Sequence, residues 1–153
     1  MNRKARFPAM LVIALVAAVV DHLSKSWFLK HFQVGESRRV FSWFYLTLVQ
    51  NTGTAFGLFQ DNNRALLMLS YIVLVAFIYG ARGLWERGGG WAFWGVALIM
   101  GGAIGNILDR HLYGHVIDFL DFRVWPVFNL ADSAITTGAI VTAIGVMVHQ
   151  ESE

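Results

Sequence analysis

Four long runs of apolar residues divide the chain, and charged residues mark the ends of each run. The runs cover about residues 7–29, 65–84, 90–110 and 132–149. About 20 helical residues are needed to cross the roughly 30 Å hydrocarbon core of a bilayer. The pattern therefore predicts four transmembrane helices.

A fifth uncharged stretch lies between the first two runs, within residues of about 38–60. Its first part is aromatic and β-branched with some alternation, which favours strands. Its centre, residues 50–54, is polar and turn-forming, and such a segment is costly in the middle of a membrane. We therefore predict a small interfacial β-platform, a strand, a turn and a strand, between helices 1 and 2. A fifth span is the alternative.

The composition excludes several classes of protein. Hydrophobic residues make up 56% of the chain and charged residues only 14%, too few to cover the surface of a soluble domain of 153 residues. The 12 Lys and Arg residues are scattered, which argues against a nucleic-acid partner. The absence of Cys excludes disulfides, thiolate metal sites and thiol nucleophiles. We predict an all-α membrane protein that forms one integral domain over residues 1–153, surrounded by membrane lipids.

Basic residues near the N-terminus bear on whether the first apolar segment is a cleaved signal peptide and on the orientation of the first helix. Residues 3–6 are mostly basic and precede an apolar run, a pattern that also occurs in cleavable signal peptides. Residues 17–19 form a poor cleavage site, so we retain the segment as a helix. With the basic residues at 3–6 and 82–87 in the cytoplasm, both termini are predicted to be cytoplasmic.

Charged residues near the spans all reach the same membrane face when four spans are counted. They are Asp21, Lys25, Asp109, Arg110 and Asp132. A fifth span would move Asp21 to the opposite face. Charges at such depth are functional candidates, but Asp21 and Lys25 lie four residues apart and are predicted chiefly to form a bundle-stabilising ion pair. Replacing both by apolar residues is then expected to cost less than losing one.

Two aspartates with apolar neighbours suggest a chemical role at this face. Asp118 lies within Val116–Phe119 and Asp132 follows residues 128–131. Each has a structural alternative, a turn for Asp118 and a helix cap for Asp132. Two close carboxyl groups share one proton, so that one acts as a base towards water while the other donates a proton. That chemistry hydrolyses peptides without a metal or a covalent intermediate.

Other chemistries fit the sequence less well. Ser24 and Ser26 are adjacent to Lys25 and do not face it on a helix. His111 and His115 have the spacing of a metal-binding pair, but no Glu follows His111 as in zinc proteases, so no metal is predicted. A non-enzymatic membrane protein, such as a small transporter or an assembly factor, is the second class of function, although the chain shows no internal repeat.

Five motifs follow one another in the order of a known family. They are DHLSK at residues 21–25, NTGTAF at 51–56, GGAIGNILDR at 101–110, GHVIDF at 114–119 and FNLAD at 128–132. Through them the chain resembles the lipoprotein signal peptidases, the type II signal peptidases of bacteria. The resemblance extends over almost the whole chain.

The resemblance implies a monomeric four-helix aspartyl endopeptidase of the bacterial inner membrane, without a cofactor and with its site near the extracytoplasmic face. Its substrate would be a prolipoprotein, cut just before a cysteine that carries diacylglycerol. Asp118 and Asp132 would be the catalytic dyad. The residues that would line or support the site are Asn51, Gly53, Asn106, Asp109, Arg110, Asn129, Asp21 and Lys25. The aromatic residues at 41–45 would lie on the outer leaflet, and the turn at 51–54 would close over the site.

Overall fold

Four helices form the body of the protein. The computed structural model describes residues 3–53, 62–87 and 89–150. Within these ranges the helices are α1 (Arg3–His31), α2 (Asn63–Arg87), α3 (Gly89–Tyr113) and α4 (Leu130–Gln150). All four are long and apolar enough to cross a membrane. The predicted fold class, four spanning helices with a small β-platform, is confirmed.

The third helix is the centre of the bundle. Most of α3 is buried, whereas the other three helices present most of their residues outward. Glycines allow the close approach: a Cβ atom on Gly101 would lie 2.6 Å from the carbonyl oxygen of Ala14, and one on Gly105 would lie 2.6 Å from Asp21 Oδ2. The glycines of α3 therefore bring the polar end of α1 into contact with α3.

A three-stranded antiparallel sheet lies at one end of the bundle. It consists of β1 (Ser37–Phe41), β2 (Phe44–Asn51) and β3 (Val116–Asp121), in the order β1-β2-β3. Its buried side packs on the end of α1 through an apolar cluster that comprises Phe28, Phe32, Leu48, Ile117 and Phe119. The sheet is thereby attached to the same end of the bundle as the predicted polar residues.

The sheet corrects two features of the predicted platform. The chain reverses at residues 42–43, inside the part predicted as the first strand, and Gln50 and Asn51, predicted as part of the turn, are instead the last residues of β2 and pair with β3. The third strand arises from the connection between α3 and α4, which sequence analysis treated as a loop. The predicted remainder of the platform, residues 54–60, lies outside the described residues.

Candidate active site

Asp118 lies on β3, and its side chain is only 1% exposed. It is opposite Val49 of β2, so its diagonal neighbour on the same face of the sheet is Asn51. Asn51 Nδ2 donates a hydrogen bond of 2.9 Å to Asp118 Oδ2. The backbone N–H of Gly53 donates to Asn51 Oδ1 at 3.1 Å and so orients the amide. Asn51 is thus held at the end of β2 and by Gly53.

Asp132 lies in the first turn of α4, where it forms a reciprocal cap with Asn129. Asn129 Oδ1 accepts a hydrogen bond from the backbone N–H of Asp132 at 2.8 Å, and Asp132 Oδ2 accepts one from the backbone N–H of Asn129 at 3.4 Å. The capping residue is therefore Asn129, three residues before Asp132. The second carboxylate oxygen, Oδ1, accepts a hydrogen bond of 2.7 Å from Asn106 Nδ2.

A single amide connects the two aspartates. Asn129 is fully buried, and its Nδ2 donates a hydrogen bond of 2.7 Å to Asp118 Oδ1 while its Oδ1 binds the backbone of Asp132. Strand β3 and the start of α4 therefore present their carboxyl groups to one shared partner. The sequence suggested that Asp118 and Asp132 lie at one membrane face, and their catalytic role stays a prediction.

The protonation of Asp118 follows from this environment. Burial, and after it the negative charge of Asp132, raise the pKa of the Asp118 carboxyl from 3.8 to about 7. The amide donors of Asn51 and Asn129 act in the opposite direction because they favour the charged form. Near neutral pH the Asp118 carboxyl is therefore poised between its protonated and ionised forms.

Lys25 is the centre of a second polar cluster beside the aspartates. Its Nζ lies 2.7 Å from Asp21 Oδ2 and 2.8 Å from Asp109 Oδ2, and it donates a hydrogen bond of 3.1 Å to Asn106 Oδ1. The side chains of both ion pairs are 1% exposed. The predicted pair of Asp21 and Lys25 is present, but Lys25 has a second carboxylate partner on α3 that the sequence did not indicate.

A cavity of about 220 Å³ between α2, α3 and α4 reaches this polar region. Asn106 and Arg110 contribute its polar end. The rest of the lining is mainly apolar and includes Val73, Leu74, Phe77, Ile99, Ala103, Ile107 and Ile135. The site therefore adjoins a space that suits an apolar chain.

The ten predicted site residues all lie in this connected region. Sequence analysis missed Asn63 of α2, whose Nδ2 donates a hydrogen bond of 2.9 Å to the carbonyl oxygen of Arg110 near the end of α3. It also missed Ser70, which lines the cavity. Both are uncharged polar residues at or within the second apolar run, so they lack the charge that makes a residue conspicuous near a membrane span. Within the described ranges no three His, Asp or Glu side chains are grouped as a metal site.

Comparison with known proteins identifies the family. The family model described as signal peptidase (SPase) II matches residues 13–148. The lipoprotein signal peptidase of Syntrophomonas wolfei is 41% identical over 141 residues, covering 91% of this chain and 93% of the relative. The lipoprotein signal peptidase of a Janthinobacterium species is 43% identical over 137 residues, covering 86% and 83%.

A solved structure agrees with this assignment. A bacterial membrane enzyme determined by the in meso method superposes with a TM-score of 0.80 at 25% identity, covering 95% of this chain and 92% of the other. A second structure with a similar description gives a TM-score of 0.76 at 26% identity. Because the family model extends from the first helix to the last, the chain belongs to the signal peptidase II family and is a membrane-spanning protease.

Proposed function

We propose that this protease removes the signal peptide of prolipoproteins by cutting just before a cysteine that carries diacylglycerol. The relatives are named lipoprotein signal peptidases, which supports a prolipoprotein substrate. The cut before a cysteine that carries diacylglycerol is what the resemblance to the family implies. The observation that supports the mechanism is the pair of Asp118, which is buried, and Asp132, which is partly buried, joined through the side chain of Asn129.

The two carboxyl groups divide the acid and base roles. Asp132, as the carboxylate, accepts a proton from the water that attacks the scissile carbonyl carbon. Asp118, as the carboxylic acid, donates its proton to the carbonyl oxygen, which gives a neutral gem-diol. The assignment of the acid to Asp118 rests on its pKa of about 7.

Collapse of the gem-diol completes the reaction. The C–N bond breaks, the leaving α-amino group of the modified cysteine takes the proton from Asp132, and Asp118 recovers a proton from the gem-diol hydroxyl. The products are a signal peptide with a new carboxyl group and a lipoprotein with a free amino group. The step needs neither a metal nor a cofactor, and it returns the dyad to its starting state.

The surrounding residues hold the dyad and the substrate. Asn51, with Gly53 behind it, and Asn129 donate hydrogen bonds to Asp118, while Asn106 donates one to Asp132. Arg110 lies at the polar end of the apolar cavity. That cavity suits an apolar part of the substrate, delivered from the surrounding lipid, next to the reacting bond.

The orientation of the enzyme follows from charge. Basic residues at 3–6 and 82–87 place both termini on the cytoplasmic side of the bacterial inner membrane, so the sheet and the dyad lie at the extracytoplasmic face. The native chain has no Cys, so a single introduced cysteine is the only thiol, and its labelling shows which side of the membrane it faces. An impermeant thiol reagent added outside should label Ser42→Cys in the hairpin and spare Gly90→Cys at the start of α3. The reverse labelling pattern would show that the protein has the opposite orientation.

We also propose that the enzyme acts as a monomer. Sedimentation of the purified protein in detergent tests this.

Cleavage of a lipidated prolipoprotein by the purified enzyme tests the function. Asp118→Asn and Asp132→Asn should each abolish turnover while the protein still folds, because each removes one of the two divided roles. Asp121→Asn is the matched control, since Asp121 is a buried carboxyl on the same strand but on the opposite face from Asp118. Turnover by a folded Asp118→Asn or Asp132→Asn variant would show that these two aspartates are not a catalytic dyad.

A further inference from the structure

The amide of Asn106 has only one orientation that satisfies its neighbours. Lys25 Nζ is an ammonium group that can only donate, so the amide must turn Oδ1 towards it, at 3.1 Å. The other end of the amide, Nδ2, then donates to Asp132 Oδ1 at 2.7 Å. In the inverted orientation a donor would face the ammonium group and an oxygen would face the carboxylate, and both contacts would be repulsive in this partly buried setting.

The same oxygen also orients Asn129. Asn106 Oδ1 accepts a second hydrogen bond, of 3.1 Å, from Asn129 Nδ2. Asn129 Nδ2 in turn donates to Asp118 Oδ1. One ammonium group therefore sets the direction of two amides, and each amide presents a donor to one aspartate of the pair.

The carboxylates that hold Lys25 also bind the backbone next to each aspartate. Asp21 Oδ1 accepts a hydrogen bond of 2.8 Å from the N–H of Ala131, the residue before Asp132. Asp109 Oδ2 accepts one of 3.0 Å from the N–H of Ile117, the residue before Asp118. The cluster around Lys25 therefore contacts both segments that carry the pair.

We infer that Lys25 is a positioning residue for the aspartate pair: it acts through Asn106, whose amide then directs an N–H donor at Asp132. This role is additional to the ion pairs by which Lys25 stabilises the bundle. The inference rests on the proposed function of Asp118 and Asp132. It gives a role to a buried lysine at a place where an apolar residue would be accommodated more easily by the membrane-spanning bundle.

A double-mutant cycle in kcat separates the two roles. The variants are Lys25→Met, Asn106→Leu and the double variant, assayed on a lipidated peptide with kcat expressed per folded molecule. Each single variant should lose about 10²-fold in kcat with little change in KM, since misplacement of the reacting groups has that effect. The double variant should be no slower than the slower single variant, because Lys25 acts through Asn106. Losses that multiply in the double variant would overturn the inference.

Loss of stability needs its own control. Met10→Ala removes a buried side chain from the apolar cluster with Ala14, Phe93 and Val96, which contains none of the polar site residues. It should lower the thermal stability while kcat per folded molecule is kept. If Met10→Ala lowered kcat as much as Lys25→Met does at a comparable loss of stability, the effect of Lys25 would be structural and the inference would fall.

A second variant keeps the inference testable if Lys25→Met does not fold. Asn106→Asp retains an oxygen for Lys25 but has no N–H to donate to Asp132. Its kcat should fall about 10²-fold while the protein folds and KM is kept; an unchanged kcat would contradict the inference. Asp118→Asn and Asp132→Asn in the same assay distinguish the failures. If those two variants remain active, the proposed function fails, whereas if they are inactive and the cycle is additive, only the role of Lys25 fails.

Discussion

The pH dependence of turnover offers a direct test of the proton on Asp118. The pKa of Asp118 is raised from 3.8 to about 7 by burial and by the charge of Asp132. If Asp118 is the acid, only enzyme that carries this proton is active. The active fraction should then be about one half at pH 7, about one tenth at pH 8 and about one hundredth at pH 9.

The assay is kcat/KM for a lipidated peptide measured between pH 6 and pH 9.5 in a fixed detergent. The substrate concentration is kept well below KM at every pH, so that the profile reports the free enzyme, to which the pKa of about 7 applies. Asp121→Asn serves as the matched control, because it removes a buried carboxyl three residues along the same strand. Its profile should descend over the same pH range as that of the wild type.

A rate that stays flat up to pH 9 would refute the assignment of the acid to Asp118. So would a descent that shifts by more than one pH unit in Asp121→Asn, since that would place the titrating group elsewhere.

The same carboxyl group should affect stability in a predictable direction. The pKa of Asp118 is higher in the folded protein than the unperturbed 3.8. The folded state therefore binds more protons between about pH 4 and pH 7, and its stability falls as the pH rises through this interval. Asp118→Asn should reduce that slope in thermal unfolding. A slope unchanged by Asp118→Asn would contradict the burial argument.

Three further predictions concern the scaffold and the absence of a metal. Lys25→Met should lower the free energy of unfolding by about 3–5 kcal/mol, because it leaves buried carboxylates without their cation; an unchanged midpoint of thermal unfolding would contradict this. Gly101→Ala should lower the free energy of unfolding, because the added Cβ atom would collide with α1. Gly80→Ala should be neutral or slightly stabilising, because its added Cβ atom would have no neighbour within 4 Å. Equal effects of the two substitutions would disprove the close-packing argument. Exhaustive chelation should leave the cleavage rate unchanged, and a loss restored by zinc would point to His111 and His115.

The structure changes the expectation for the double variant of Asp21 and Lys25. The sequence suggested an isolated pair, so that replacing both residues by Ala would cost less than losing one. In the fold, Lys25 also pairs with Asp109, and Asp21 also accepts a hydrogen bond from the backbone of α4. The double variant therefore leaves Asp109 and the N–H of Ala131 without their partners, and we expect it to recover little stability. Thermal unfolding of the double variant beside both single variants measures this.

The amino-acid sequence by itself determined the membrane-spanning architecture and the candidate aspartates. Transmembrane spans can be identified from the sequence because a lipid-embedded helix forms all its backbone hydrogen bonds within itself. Length and apolar content are therefore sufficient to recognise it. Charges in or near such spans are costly, which made Asp21, Lys25, Asp109 and Asp132 conspicuous, and the direction of each helix put them at one face. The family motifs added Asn51, Asn106 and Asn129, whose uncharged side chains carry no comparable signal in the hydropathy pattern.

Only the tertiary structure decided how these groups are connected. The sheet includes β3 because Gln50 and Asn51 pair with Ile117 and Val116, residues far along the chain, and local turn propensity cannot reveal such a pairing. The direction of each amide is set by neighbours from other elements, as in the contact of Asn106 with Lys25 on one side and Asp132 on the other. The sequence indicates which polar residues would be energetically costly in a membrane. The hydrogen bonds that satisfy those residues join distant segments, so these bonds form only when the helices and the sheet have packed together.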